Sequence, residues 1–172
     1  SEWYEVREEI ESDVGDYHVL FLPWHMYLTF SWLPNEDTTL ASPAPKFFGS
    51  KVIGADNIEY GSFSQSVNPV SHYVEFLLSR GQQLGNLGEL LAPINVRYII
   101  LVHEADYSNY VYLDDQEDLE LVLDLPGISL FKNLYTHRPV YAVDEVQILG
   151  DLDDLIEVSR FEDILARGYV LD

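Results

Sequence analysis

The chain has 172 residues and no cysteine, and its 30 Asp and Glu outnumber nine Lys and Arg, for a formal net charge of −21. This length suits one domain, and 47% apolar residues suffice for a buried core and exclude a disordered chain. The charge excludes nucleic acid as a partner, because phosphate binding needs clustered cations. The absence of cysteine excludes disulfides and thiolate metal sites.

The acidity is spread along the whole chain rather than gathered in one tail. Lysine is scarce and occurs only at Lys46, Lys51 and Lys132. In molar salt, screening removes the self-repulsion that would otherwise destabilise so charged a fold. The pattern therefore favours adaptation to high salt, with an ordinary acidic protein as the alternative.

The first third of the chain predicts one helix, one strand and a long irregular region. Apolar residues recur at helical spacing over Glu2–Ser12, with glutamates filling the other face. Residues 18–23 form a short apolar run that is typical of a strand buried on both faces. Residues 24–63 show no regular period, so this region is either a functional loop or an aromatic-rich cover over one sheet edge.

The middle of the chain predicts two helices and the best-defined strand. Residues 69–80 carry an apolar helical stripe, for which Asn68 suits the N-cap and Pro69 the first turn. Residues 84–92 predict a second helix. Residues 97–102 have no polar face, so we expect a strand in the centre of the sheet.

The C-terminal part predicts a turn, a hairpin, two further strands and a helical region. In chain order these are a helical turn at 114–118, hairpin strands at 120–124 and 128–132, a strand at 139–143, a helical region at 151–167 and a strand at 169–171. Buried strands alternating with amphipathic helices indicate an α/β fold over residues 1–172. We expect a single domain with a mixed β-sheet, flanking helices and one long irregular loop region.

One candidate ligand site lies in the irregular region. Asp56, Asn57 and Glu59 place two carboxylates and an amide in one loop, and such groups hydrogen-bond sugar hydroxyls. Trp24 and His25 are suited to stack on a sugar ring. If this loop is a glycan-contacting surface, Trp24, His25, Asp56 and Glu59 should converge on one exposed concavity. The alternative, which we favour, has both Trp24 and Trp32 buried against the sheet and Asp56 bonded to its own loop.

No catalytic, metal or cofactor residue set follows from the sequence. No two histidines have the i, i+4 spacing of a helical zinc pair, and His103 with Glu104 and Asp106 is a grouping expected by chance in so acidic a chain. Neither a Gly-x-Ser-x-Gly elbow nor a lysine-bearing phosphate loop is present. The remaining enzymatic hypothesis is a hydrolase with Asp56 and Glu59 as paired carboxylates. We expect no catalytic residue, no metal and no cofactor.

Four short motifs occur in a fixed order along the chain. They are HVLFLPW at 18–24, DNIEYG at 56–61, NVRYIIL at 95–101 and FKN at 131–133. Together they resemble the extracytoplasmic portion of archaeal polytopic membrane proteins of the GT-C-type glycosyltransferase and YfhO-type group. Members of that group with known activity move a sugar from a polyprenyl-phosphate donor. Their catalytic acids lie in loops between transmembrane helices, so no catalytic residue carries over to this chain.

The resemblance implies a soluble extracytoplasmic domain of a membrane-embedded glycosyltransferase-like protein, with an acceptor-binding or scaffold role rather than a catalytic one. It places the domain on the extracytoplasmic face of the plasma membrane, anchored by transmembrane segments outside this chain. The expected partners are those transmembrane helices and a glycan or lipid-linked sugar. The alternative is a structural or interaction module of a halophilic cell-envelope membrane protein without sugar chemistry.

Overall fold

The computed structural model describes residues 1–35, 38–49, 51–57, 66, 68–135 and 142–172. The helices are α1 (Glu2–Ser12), α2 (Ala44–Phe48), α3 (Pro69–Ser79), α4 (Leu87–Leu91) and α5 (Leu152–Ser159). The strands are β1 (His18–Leu22), β2 (Tyr27–Leu28), β3 (Leu40–Ala41), β4 (Val52–Ile53), β5 (Val96–Val102), β6 (Leu119–Leu125), β7 (Ile128–Asn133), β8 (Val146–Leu149) and β9 (Gly168–Leu171). Short 3₁₀ helices at Gly81–Gln83, Ala92–Ile94, Tyr107–Asp115 and Ile164–Ala166 connect them.

The main sheet has five strands in the order β4-β1-β5-β7-β6. The strands β4, β1 and β5 are parallel, whereas β7 is antiparallel to β5 and β6 is antiparallel to β7. The strand β5 is central and buried along nearly its whole length, as its apolar sequence predicts. The α/β class and the mixed sheet are therefore confirmed.

The two faces of the sheet bury separate cores, because successive strand side chains point to opposite faces. On one face, α1 packs Val6 and Ile10 against a core that includes Phe21 and Ile100. The other face is covered by α3, α4 and α5. The buried residues of that second core include Leu20, Leu22, Val74, Leu77, Leu90, Ile99, Leu101, Leu155 and Ile156. The domain thus consists of a sheet between two helical layers.

A small two-stranded parallel sheet lies beside the main sheet. The strands β8 and β9 pair in register and are joined through α5, so residues 146–171 form a βαβ unit. Leu149 is buried on the side that faces the second core. Val146, Ile148 and Val170 are exposed on the opposite side.

Four predicted elements differ from the structure, and in one of them tertiary hydrogen bonds decide the difference. The helix predicted at 84–92 is only α4, because Gln116 and Asp118 accept its first free N–H groups. The helical turn predicted at 114–118 lies earlier, within Tyr107–Asp115, and β6 begins at Leu119.

The other two differences concern the C-terminal part. The helical region predicted at 151–167 is interrupted after α5, where Arg160, Phe161 and Glu162 donate their backbone N–H groups into its last turn. Of the strand predicted at 139–143, residues 139–141 lie outside the described residues and residues 142–143 belong to no strand.

The irregular region at 24–63 contains three two-residue strands and the short helix α2 among its described residues. Elements this short cannot show a period, so the sequence pattern does not reveal them. Residues 58–63 of the region lie outside the described residues. In the described ranges, no helix combines the length and the apolar character that a membrane span requires.

Candidate functional site

The carboxyl ends of the three parallel strands meet at one edge of the main sheet, which we call the carboxyl edge. Trp24 and His25 follow β1, whereas Asp56 and Asn57 follow β4. Asp106 lies in the loop after β5. Ligands of α/β sheets gather at this edge, and four of the five predicted site residues lie in its loops. The fifth, Glu59, lies outside the described residues.

Trp24 is buried, with 7% of its surface exposed. Its backbone N–H donates to the Tyr110 hydroxyl at 2.9 Å. Within the described part of the chain, its indole Nε1 is buried and has no hydrogen-bond partner. Trp24 therefore has no open ring face on which a sugar could stack, and the buried alternative holds for Trp24; it is wrong for Trp32, which is 66% exposed.

His25 and Asp106 join the loops that follow β1 and β5. The His25 Nε2 lies 2.8 Å from the Asp106 Oδ1, and the pair is half-exposed. The Asn109 amide donates to the other Asp106 oxygen at 3.0 Å. Because both carboxylate oxygens accept a hydrogen bond, Asp106 is held in one orientation.

Asp56 and Asn57 tie the loop after β4 to α3. The Asn57 amide donates to the Glu75 Oε1 at 3.1 Å, and the Ser66 hydroxyl donates to the Glu75 Oε2 at 2.9 Å. The Asp56 Oδ2 accepts the Asn68 backbone N–H at 3.2 Å. Asp56 therefore bonds backbone, as the turn-forming alternative anticipated, but the backbone is that of the α3 N-cap rather than its own.

A cavity of 260 Å³ lies between α3 and the loops that follow β1 and β5, and we call it the carboxyl-edge cavity. Of the predicted site residues, Trp24 lines it, whereas His25, Asp56 and Asn57 do not. Its wall comprises Trp24, Glu75, Leu78, Ser79, Asp106, Asn109, Tyr110 and Tyr112. Like the Trp24 indole, the Tyr112 hydroxyl is buried and has no partner among the described residues. Burial raises the pKa of the Tyr112 phenol, which therefore stays protonated and remains a donor. Both atoms, the Trp24 Nε1 and the Tyr112 hydroxyl oxygen, are enclosed by protein, so other atoms of Trp24 and Tyr112 line the cavity, and the polar side chains of its wall include Glu75, Asp106 and Asn109.

The charged groups at this edge do not form a metal centre. Across the described ranges, no three His, Asp or Glu side chains are arranged to hold a metal ion. His103 belongs to the hairpin, since its ring nitrogens contact the Pro126 carbonyl at 2.9 Å and the Ser129 hydroxyl at 2.8 Å. Both carboxylate oxygens of Glu104 accept from Ser31. His103, Glu104 and Asp106 therefore each bind different partners and do not form one ligand cluster.

Sequence reasoning missed Glu75, Tyr110 and Tyr112. The sequence pattern of α3 identifies only its apolar face, and Glu75 is not part of that pattern. Only the fold brings Glu75 beside Asn57. The two tyrosines belong to the Tyr-rich stretch after β5, which is a signal that could have indicated them. No protein-family model, no curated protein and no solved structure shows significant similarity to the chain.

Proposed function

We propose that the chain is a soluble extracytoplasmic domain of a membrane-embedded glycosyltransferase-like protein, and that its carboxyl-edge cavity binds hydroxyl groups of a neutral glycan acceptor. The observation that carries the proposal is one cavity whose wall combines two fixed carboxylate acceptors, on Glu75 and Asp106, with the Asn109 amide and the aromatic side chain of Tyr110. The motif resemblance supplies the membrane context and the class of acceptor, which includes a lipid-linked sugar.

The chemistry of the cavity favours a ligand that both donates and accepts hydrogen bonds. An anionic ligand would face Glu75 and Asp106 in a chain of net charge −21. A metal ion would need at least three converging ligands, and no such group occurs among the described residues. A sugar hydroxyl donates to a carboxylate and accepts from an amide N–H, so it matches the polar groups of this wall.

The arrangement supports binding rather than catalysis. Asp106 is held by His25 and Asn109, and Glu75 is held by Asn57 and Ser66. Carboxylates fixed by two donors each are suited to orient a ligand. This agrees with an acceptor-binding or scaffold role beside a transmembrane part whose interhelical loops carry the catalytic acids.

The second candidate function is an interaction module of a cell-envelope protein without sugar chemistry. The observation that favours it is the apolar outer side of the βαβ unit, where Val146, Ile148 and Val170 are exposed side by side. Parallel strands are ordinarily covered on both faces, so this uncovered side is suited to a protein partner. The two candidates differ in whether the carboxyl-edge cavity binds a sugar.

The indole N–H signals of the three tryptophans offer a direct test by NMR. The ¹⁵N-labelled domain is titrated with neutral hexoses and their disaccharides in molar salt, and Trp24→Phe assigns the Trp24 signal. We expect a saturable shift of the Trp24 signal, with Trp3 and Trp32 unchanged. A shift confined to the exposed Trp32, or no saturable shift with any sugar, refutes the proposal.

A matched pair of variants separates the cavity from general charge. Asp106→Asn removes the charged acceptor, and we expect about tenfold weaker sugar binding, since hydrogen bonds to charged groups contribute about 1.5–3 kcal/mol. Asp114→Asn removes the same charge from an exposed site on the neighbouring 3₁₀ helix, and binding should not change. Equal weakening by both variants would show that the effect is electrostatic and not local.

A further inference from the structure

Two exposed aromatic side chains at the carboxyl edge each lie on a second ring. The Trp32 ring stacks on the buried Phe30, with the ring centroids 5.3 Å apart and 27° between the planes. The Tyr107 ring, which is 39% exposed, stacks on His103 with the centroids 5.0 Å apart. In each stack the inner ring covers one face of the outer ring, so the exposed surface belongs to the opposite face and the ring edges. We call Trp32 and Tyr107 the aromatic platform.

Hydrogen bonds hold the loop that carries Trp32. The backbone N–H and the hydroxyl of Ser31 donate to the two carboxylate oxygens of Glu104, at 3.0 and 2.8 Å. The Leu33 N–H donates to the Phe30 carbonyl at 2.9 Å and closes the turn that contains Trp32. A ring held in this way before a ligand arrives loses little conformational entropy on binding.

The aromatic platform adjoins the carboxyl-edge cavity. Tyr107 directly follows Asp106, whose side chain lines that cavity, and the Tyr107 N–H donates to the Glu104 carbonyl at 3.1 Å. Through the contact of Ser31 with Glu104, the reach of the chain places Trp32 within about 20 Å of Asp106. Neither platform residue lines the cavity itself. A single sugar in the cavity therefore does not contact the platform, whereas a chain of several sugars extends from one to the other.

We propose that the aromatic platform binds further sugar residues of the same neutral glycan that enters the carboxyl-edge cavity, and this inference rests on the function proposed above. One face of a sugar ring consists of C–H groups, which pack against the open face of an aromatic ring, while the hydroxyl groups stay in water. An anionic chain would be repelled by a domain of net charge −21.

The surroundings of the two rings favour a glycan over a protein partner. Ser31 precedes Trp32 in the chain, and Asp106 and Ser108 flank Tyr107, so each ring has polar neighbours that match sugar hydroxyl groups. Protein partners instead favour contiguous apolar patches.

The length of the sugar chain provides the test. The ¹⁵N-labelled domain is titrated in molar salt with hexasaccharides of neutral hexoses and with the corresponding monosaccharides. We expect a hexasaccharide to shift the indole signals of Trp24 and Trp32 together and to bind at least about tenfold more tightly than the monosaccharide, which shifts Trp24 alone. Equal affinities with Trp32 unmoved would overturn the platform and leave the proposed function of the cavity intact. A Trp24 signal that moves with neither sugar would overturn both.

Two variants of Trp32 separate ring stacking from general apolar contact, and the Trp24 signal reports the affinity. Trp32→Leu should weaken hexasaccharide binding about tenfold and leave monosaccharide binding unchanged, whereas Trp32→Tyr, which keeps a ring, should stay within about threefold of wild type. Tyr107→Leu removes the other ring and replaces Trp32→Leu if that variant does not fold.

Phe161→Leu is the matched control, because its ring is 84% exposed on the βαβ unit, away from the carboxyl edge. It should bind the hexasaccharide as wild type does. Unchanged hexasaccharide affinity in a folded platform variant, which would leave these rings for a protein partner, refutes the proposal. Equal weakening by the control refutes it as well.

Discussion

Asp13 links the end of α1 to the centre of the main sheet, and its replacement by alanine should be costly. The Asp13 Oδ2 accepts from the Tyr98 hydroxyl at 2.9 Å and from the Arg97 Nε at 3.1 Å. Lys132 lies 3.8 Å from the same oxygen. The Asp13 side chain is 23% exposed, and Tyr98 is fully buried. One carboxylate therefore joins α1, β5 and β7.

The cost of Asp13→Ala follows from the groups that the change leaves behind. The Tyr98 hydroxyl loses its acceptor in a buried position, which costs about 1–3 kcal/mol. The partly exposed ion pairs with Arg97 and Lys132 add about 0–1 kcal/mol. Removal of one negative charge from a chain of net charge −21 offsets a little of this at low salt. We expect a loss of about 1–4 kcal/mol in the free energy of unfolding.

Urea unfolding followed by tryptophan fluorescence, in molar salt, measures this loss. The matched control is Asp16→Ala, three residues along the same loop, where the side chain is exposed and makes no hydrogen bond or ion pair with the described residues. The control should change the free energy of unfolding by less than about 0.5 kcal/mol. A loss below that value for Asp13→Ala, or an equal loss for both variants, would refute the reasoning.

The stabilisation that the Asp13 carboxylate provides should depend on pH. Burial by itself raises the pKa of Asp13, but the hydrogen bonds from Tyr98 and Arg97 outweigh it and lower the pKa overall. A carboxyl whose pKa is lower in the folded state stabilises the fold above its unfolded pKa of about 3.9. That contribution is lost as the pH falls through the folded value. The stability difference between wild type and Asp13→Ala should therefore be constant above about pH 5 and shrink below about pH 4.

The remaining predictions concern salt and the carboxyl-edge cavity. Because 21 uncompensated negative charges repel at low ionic strength, the melting temperature should be higher in about 2 M than in about 0.1 M KCl, and an unchanged value would remove the high-salt interpretation. Gly81→Ala should destabilise the domain by about 1–3 kcal/mol, because the new Cβ would lie 2.2 Å from the Tyr112 ring. The same variant should weaken sugar binding in the NMR titration. If Gly81→Ala keeps wild-type stability and wild-type sugar binding, the Tyr112 ring is not held against Gly81.

The sequence alone determined the elements whose signals are local. The helix α1 has the predicted bounds, and Asn68 caps α3 by accepting the Val70 N–H at 2.9 Å, because periodicity and capping depend on neighbouring residues. The strand β5 and the hairpin of β6 and β7 were predicted from an apolar run and from a Pro-Gly turn. The same local patterns predicted whether each of these elements is a helix or a strand and the order in which they follow one another along the chain.

Only the tertiary structure decided how these elements meet. The strand β4 has two residues and shows no period, yet its pairing with β1 brings Asp56 and Asn57 to the edge that also carries Trp24. Glu75 lines the carboxyl-edge cavity from a helix, α3. Strand pairing and cavity walls join residues that are distant in sequence, so no local pattern specifies them. The burial of Trp24 has the same origin, since its depth depends on the helices and loops that pack over it.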